Sequence, residues 1–283
     1  MKSVREKRGR GRRCLLCLGS WNVRSLVERD GDIDTACVSG RVVEDKKIHR
    51  VISELKRLKV AAAGLQETHW FGQNIYAVNG FTVICSGRPT PGEEDNRRRG
   101  EGVALVLNRD TTSAWRAGGC VWNAVSSRIV SVRLKYCAAD GPDVWLTLVS
   151  VYAPTFAASR ACKELFYDDL QRTLYDVPQT DHCVVLGDFN ARVGSSEQGD
   201  EWSTVRGSHG FGALNSSGAD LLSFAAFNQL SICNTWFPKR DQARPLQADL
   251  AAPRHFELAL YRLHSSAPGG PPLVYGHCGR AQC

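Results

Sequence analysis

Four strand-like runs in this chain each end in a residue able to handle phosphate or a metal ion. Trp21-Asn22-Val23-Arg24 sets an amide after one apolar run, and Gly64-Leu65-Gln66-Glu67-Thr68 sets a carboxylate after another. Val151-Tyr152-Ala153-Pro154 ends a third run in a phenol. Gly187-Asp188-Phe189-Asn190-Ala191-Arg192 ends a fourth in an acid and an amide two residues apart. Magnesium is a hard cation that takes one or two carboxylates and completes its shell with water and substrate phosphate. Glu67 is the natural ligand for such an ion, with manganese as the alternative metal. Asn22 suits the ion or a phosphate oxygen through its amide. Attack on phosphorus also needs an oriented water and donors for the charge that builds on the phosphate. Asp188 suits the water and Asn190 a phosphate oxygen, because residues i and i+2 at a strand end point to one side. Tyr152 offers a hydroxyl to the phosphate or the leaving group. Singly, each motif is more often a turn or a cap; four in order, each delivered by a buried strand, reverse that balance.

The elements that must deliver these residues follow from the hydrophobic period. Residues 14–21 read as a first strand. Ile48, Val51, Ile52, Leu55 and Leu58 fall at helical spacing over 45–58. Strands are expected at 60–65, 81–85, 102–107, 128–136 and 144–152, then a helix over about 159–175 and a strand at 183–187 ending in Asp188. Residues 87–100 and 194–212 read as polar loops. Asn215 or Ser216 caps a helix over 217–228, and 231–236 reads as a further strand. No repeat of fixed period is present. Mixed strands and helices with chemistry at strand ends imply a layered α/β (α+β) fold.

With 43% hydrophobic and 23% charged residues among 283, the chain has the balance of a soluble globular domain. Its net charge of +7 is concentrated: Lys2, Arg5, Lys7, Arg8, Arg10, Arg12 and Arg13 stand against Glu6 alone in residues 1–13. Such an arm suits a phosphate backbone or nuclear import, and equally a solvated terminus. Arg8, Arg10, Arg12 and Arg13 are its candidate nucleic-acid contacts. The apolar stretch after the arm is too short for a secretory leader, and no run reaches membrane-spanning length. The 11 cysteines, an odd number without a leader, point to a reducing intracellular compartment, nuclear or cytoplasmic. Cys14-Leu15-Leu16-Cys17 lacks a second pair at zinc spacing and reads as buried thiols.

The motif set resembles the endonuclease/exonuclease/phosphatase superfamily. It spans Ser20 to Arg24, Leu65 to Thr68, Gly102-Val103-Ala104, Val151 to Pro154 and Gly187 to Arg192. Ser126-Ser127-Arg128, Val193-Gly194, His209-Gly210 with Asn215, and Asn234-Thr235-Trp236-Phe237 look more narrowly like one subgroup. That subgroup is the apurinic-type endonucleases of LINE retrotransposons and the craniofacial development protein 2-like proteins derived from them. The resemblance covers about 20–238. It implies a four-layer sandwich of two mixed β-sheets flanked by helices, and magnesium-dependent hydrolysis of DNA phosphodiesters; the oligomeric state is open, with a monomer expected. It implies Asn22 and Glu67 as metal or phosphate ligands, Tyr152 as a phosphate contact, and Asp188 and Asn190 as positioners of the nucleophile. Arg128 and Asn215 are candidate DNA contacts, each with a structural alternative: a strand residue and a helix cap. His69, His209 and Thr235 read as scaffold.

The family pattern stops after Phe237. An Ile-Asp-Tyr-like and a Ser-Asp-His-like motif are expected there, and neither occurs; Asp249, His255, His264 and His277 stand in other contexts. Back-translated, 249–266 with the first base of Ala267 permits codons that, read from the second base, give Thr-Trp-Gln-His-Pro-Gly-Thr-Ser-Asn-Trp-His-Cys-Ile-Asp-Tyr-Ile-His-Gln. That string is similar to the family's missing segment. The expectation is a frame slip between Phe237 and Asp249. The domain at 14–238 would then lack its last two strands, 239–283 would be a disordered tail outside the family, and activity would be impaired. A phosphatase-type member acting on small phosphorylated molecules or lipids, and a non-catalytic nucleic-acid-binding fragment, remain open alternatives.

Overall fold

A computed structural model describes residues 16–27, 46–89, 100–137, 142–196, 199–237 and the backbone of 258–262. Among them lie two mixed sheets. The first holds β1 (Leu18–Asn22), β2 (Ala62–Gln66), β3 (Gln73–Val78), β4 (Phe81–Ser86) and β5 (Val103–Leu107) in the order β1-β2-β5-β4-β3. The second holds β6 (Trp122–Ser126), β7 (Ile129–Tyr136), β8 (Val144–Tyr152), β9 (His182–Asp188), β10 (Leu230–Ile232) and β11 (Leu258–Arg262) in the order β10-β11-β9-β8-β7-β6.

Each sheet contains one parallel pair among the described strands, β1 with β2 and β8 with β9; the other pairings are antiparallel. Parallel neighbours point their carboxyl ends the same way. Asn22 therefore lies level with Gln66, and Tyr152 level with Asp188. β1 and β2 pack against β9 and β8, which brings all four ends to one edge of the sandwich.

The strands read as nearly continuous apolar runs because both faces of each sheet are covered. Along β5, Val103, Leu105 and Leu107 point between the sheets with Val130, Leu148, Val184 and Leu186. Ala104 and Val106 point outward, beneath Ile48, Val51, Ile52 and Leu55 of α1 (Lys46–Arg57). On the far side, Phe166, Leu170 and Leu174 of α3 (Arg160–Tyr175) cover Val149, Val151, Cys183 and Val185 of the second sheet. Leu221, Leu222 and Ala225 of α4 (Ser216–Phe227) join that layer. The result is helix, sheet, sheet, helix. No helix among the described residues is long and apolar enough to cross a membrane.

Some elements differ from their sequence expectations. β3, β6 and α2 (Arg109–Ala117) arise where none was expected. β3 and β6 are outer strands with polar, partly exposed residues. Asn79-Gly80, both at positive φ, closes the β3–β4 hairpin in the way such a pair does. α2 depends on its cap, Asn108, whose side chain accepts from Thr111 N at 2.9 Å. The strand expected over 231–236 is cut short at Ile232. Thr235 Oγ1 donates to Ile232 O at 2.7 Å and accepts from Gly207 N at 2.7 Å, so the chain turns through Cys233–Thr235. β11 lies in the stretch expected to stay outside the sheets. It pairs antiparallel with both β9 and β10, filling a place between them.

Candidate active site

Asn22, Tyr152 and Asp188 are the last residues of β1, β8 and β9, and Glu67 is the first residue beyond β2. Pairing continues past the strand ends: Val23 N donates to Gln66 O (3.0 Å), Ser25 N to Glu67 O (2.7 Å) and Leu26 N to Thr68 O (3.0 Å). The backbone is left-handed at Glu67 (φ 56°) and again at His69 (φ 59°). Non-glycine residues hold that conformation at a cost of about 1 kcal/mol or more, and only where the surroundings impose it. Here Thr68 N donates to Gly102 O and His69 N to Glu101 O, at 3.0 and 3.1 Å. Gly102 is required for this fit, because at φ 118° a Cβ would lie 2.4 Å from Thr68 Oγ1.

One amide joins the two carboxylates across the sheets. Asn22 Nδ2 donates to Glu67 Oε1 at 2.8 Å and to Asp188 Oδ2 at 3.2 Å. Its oxygen is turned the other way and accepts from Arg24 N at 3.1 Å. That orientation follows from chemistry, since carboxylates accept and a backbone N–H donates. Asn22 thus presents nitrogen to the acids, not oxygen to an ion. Tyr152 OH donates to the same Glu67 Oε1 at 2.9 Å. Asn190, at φ 48°, donates its backbone N–H to Asp188 Oδ1 (2.9 Å) and one amide hydrogen to Ala153 O (2.8 Å). Asp188 is only 9% exposed. The Tyr152 hydroxyl is held well above the usual phenol range, first by burial, then by the nearby charge of Glu67 and the hydrogen bond to it. It therefore stays protonated and serves as a donor.

A second tier holds the phenol. Arg128 donates to Tyr152 O at 3.0 Å and to Glu101 Oε1 at 2.8 Å, with its guanidinium carbon 5.3 Å from the Tyr152 ring centroid. Ser127 Oγ donates to the other oxygen of Glu101. Sequence reading missed Glu101: flanked by Gly100 and Gly102, it looks like loop, and its partners lie 26 and 27 residues away.

The remaining candidates lie elsewhere or play local parts. Asn215 caps α4, its Oδ1 accepting from Gly218 N (2.8 Å) and Arg192 N (3.1 Å). His209 is exposed, its backbone N–H bound to Thr235 O. Arg8, Arg10, Arg12, Arg13, Asp249, His255, His264 and His277 fall outside the described residues. His69 is brought to the site: its Nε2 lies 4.0 Å from Glu67 Oε2. Burial pushes its imidazole below the usual histidine range, against the opposing pull of Glu67 and with help from Arg88 and Lys47. Among the described residues no three His, Cys, Asp or Glu side chains gather as a closed metal cage.

Two sheets delivering an amide, a phenol and two acids from parallel strand ends define a class that known proteins share. The chain belongs to the Endonuclease/Exonuclease/phosphatase family, whose profile matches residues 19–273. It is 32% identical to craniofacial development protein 2 of Bos taurus over 222 residues, which is 78% of this chain and 31% of that protein. Against the Tragulus javanicus protein of the same name the identity is 31%, over 78% of this chain and 32% of the relative. The chain thus spans about a third of the length of these curated relatives. Among solved structures it is similar to the AP endonuclease LMAP from Leishmania major, with a TM-score of 0.53 at 12% identity, covering 86% of this chain and 78% of that one. The Xenopus laevis APE2 catalytic domain gives a TM-score of 0.50 at 15% identity, covering 86% and 81%. At such identities these two likenesses concern the fold.

Proposed function

We propose that this chain is a divalent-metal-dependent DNA phosphodiesterase of retrotransposon descent whose cleavage is impaired in the sequence as it stands. The observation that carries the reading is the union of Glu67 and Asp188, from different sheets, through Asn22. Family membership supports hydrolysis of phosphate esters. The subgroup motifs at 126–128 and 209–237, the likeness to craniofacial development protein 2 and the AP endonuclease neighbours favour DNA and the retrotransposon lineage.

The donor set fits a hard cation. Glu67 Oε1 is taken up by Asn22 and Tyr152, while Oε2 accepts no hydrogen bond among the described residues and is open to an ion. Such an ion supplies positive charge to a phosphate oxygen. The chain's own residues do the rest. Asn22 sets the spacing of the two acids. Asp188 orients a water and takes its proton. Asn190 has a second amide hydrogen for a phosphate oxygen, and Tyr152 donates its hydroxyl. No Ser-Asp-His sequence occurs in 238–283, so within these residues the acid–base work beside the phosphate has no histidine in that context.

Plasmid nicking in Mg²⁺ or Mn²⁺ tests both halves. The chain as written should nick no faster than Glu67→Gln. A version with the frame corrected between Phe237 and Asp249, and read on through a Ser-Asp-His motif, should nick rapidly. Glu67→Gln or Asp188→Asn in that version should cost about a hundredfold or more, the scale for losing a group that acts on transition-state charge. Equal rates in those variants would sink the site assignment. Fast nicking by the 283-residue chain would sink the impairment.

A further inference from the structure

We propose that His69 is a second protein ligand to the divalent ion at Glu67, biasing the site toward manganese-like ions over magnesium. This deepens the metal-dependent reading above and rests on it. His69 Nε2 is buried and meets no hydrogen-bond partner. A buried polar nitrogen left so has given up its water without compensation, so a partner is implied. Nε2 faces Glu67 Oε2 at 4.0 Å, too far for a hydrogen bond. That oxygen is the one Asn22 and Tyr152 leave open. An ion bound by imidazole and carboxylate lies about 2.0–2.2 Å from each, so one ion spans such a gap.

The surroundings hold the backbone that carries both side chains. Glu67 and His69 both hold left-handed backbone on either side of a fully buried Thr68, tied to Glu101 and Gly102. At Gly100 a Cβ would lie 3.8 Å from His69 Nε2, at ordinary contact distance, so Gly100 borders the nitrogen. Magnesium prefers oxygen throughout its shell, whereas manganese, cobalt and zinc accept imidazole readily. One nitrogen beside one carboxylate therefore shifts preference without forming a closed cage. Arg88 and Lys47 also act on this imidazole, which makes a backbone phosphate the competing occupant.

The test uses the 283-residue chain and Mn²⁺ itself, in phosphate-free buffer. Mn²⁺ and Mg²⁺ affinities are titrated for the unaltered chain, His69→Ala, His69→Gln and Glu67→Gln, and electron spin echoes of bound Mn²⁺ are examined for coupling to imidazole nitrogen. His69→Gln keeps the bulk of the side chain if His69→Ala does not fold. The expected result is nitrogen coupling in the unaltered chain, lost in both His69 variants, and a fall of about tenfold in Mn²⁺ affinity with Mg²⁺ affinity little changed. Glu67→Gln should weaken both ions. Unchanged Mn²⁺ affinity and no nitrogen coupling, with Glu67→Gln still weakening both ions, would overturn the role of His69 alone. Lower affinity for duplex DNA in His69→Gln with intact Mn²⁺ binding would assign the imidazole to phosphate and overturn it too. Mn²⁺ binding that ignores Glu67→Gln, or no saturable binding in the unaltered chain, would overturn this inference together with the metal reading.

Discussion

Asn22 shows how much a single orientation decides. With nitrogen toward Glu67 and Asp188 it acts as a clamp between acids; turned over, it would set an oxygen against them. Arg24 N, which needs an acceptor, settles the matter. Cysteine reactivity is set residue by residue in the same way. Burial pushes the Cys233 thiol up to about 11. Below its pKa a thiol stays protonated, and the thiolate is the nucleophile, so at pH 8 only about one Cys233 in a thousand is reactive. Cys120 and Cys137 are exposed. Brief alkylation at pH 8, read by peptide mass spectrometry, should label those two and spare Cys233; equal labelling would show that its surroundings are open to water.

At the level of elements, β5, β7 and β8 are tied by Glu101, Ser127, Arg128 and the Tyr152 carbonyl. The Arg128 and Glu101 side chains are 19% and 11% exposed. Breaking a buried pair on one side leaves a stranded charge, at about 3 kcal/mol or more. Glu101→Gln should show a loss of that order in urea. Glu54→Gln, at the solvated pair with Arg57, should cost about 1 kcal/mol or less. Similar losses in the two variants would mean that water relieves the inner pair as well. β11 offers a second test. Leu260 stands between Val185 of β9 and Ile232 of β10. Proline has no N–H and is poorly tolerated in a strand bonded on both sides. Leu260→Pro should therefore lower stability by about 1–3 kcal/mol, the scale for leaving a ladder partner unpaired, and an unchanged melting curve would mean that the strand does not pair there.

For the whole molecule, charge is divided between an arm and a nearly balanced body. Residues 1–13 hold almost all of the net +7. Phosphate contacts carry no base identity, so deleting the arm should weaken binding to every duplex alike. The slope of log affinity against log salt should flatten by about 0.9 for each phosphate the arm neutralises. Binding titrations at several salt concentrations read this, and an unchanged slope would make the arm a bystander.

The central strands were legible because each is covered on both faces and so reads as an unbroken apolar run. Asn22, Glu67, Tyr152, Asp188 and Asn190 were legible because each closes or follows such a run in a short motif. The outer strands β3 and β6 were not, since one polar face removes the apolar signal. Nor was β11, whose place depends on β9 and β10 offering backbone partners 28 to 77 residues away in register. What the sequence by itself determined is the list of groups and the strand ends that carry them, because both follow from local pattern. Only the tertiary structure decided which groups meet. The clamp of Asn22 across 45 and 166 residues, the support of Arg128 by Glu101 and the approach of His69 to Glu67 depend on parallel strand pairs from two sheets meeting at one edge. Pairing and facing of strands are settled by the packing of the whole core, which no local pattern encodes.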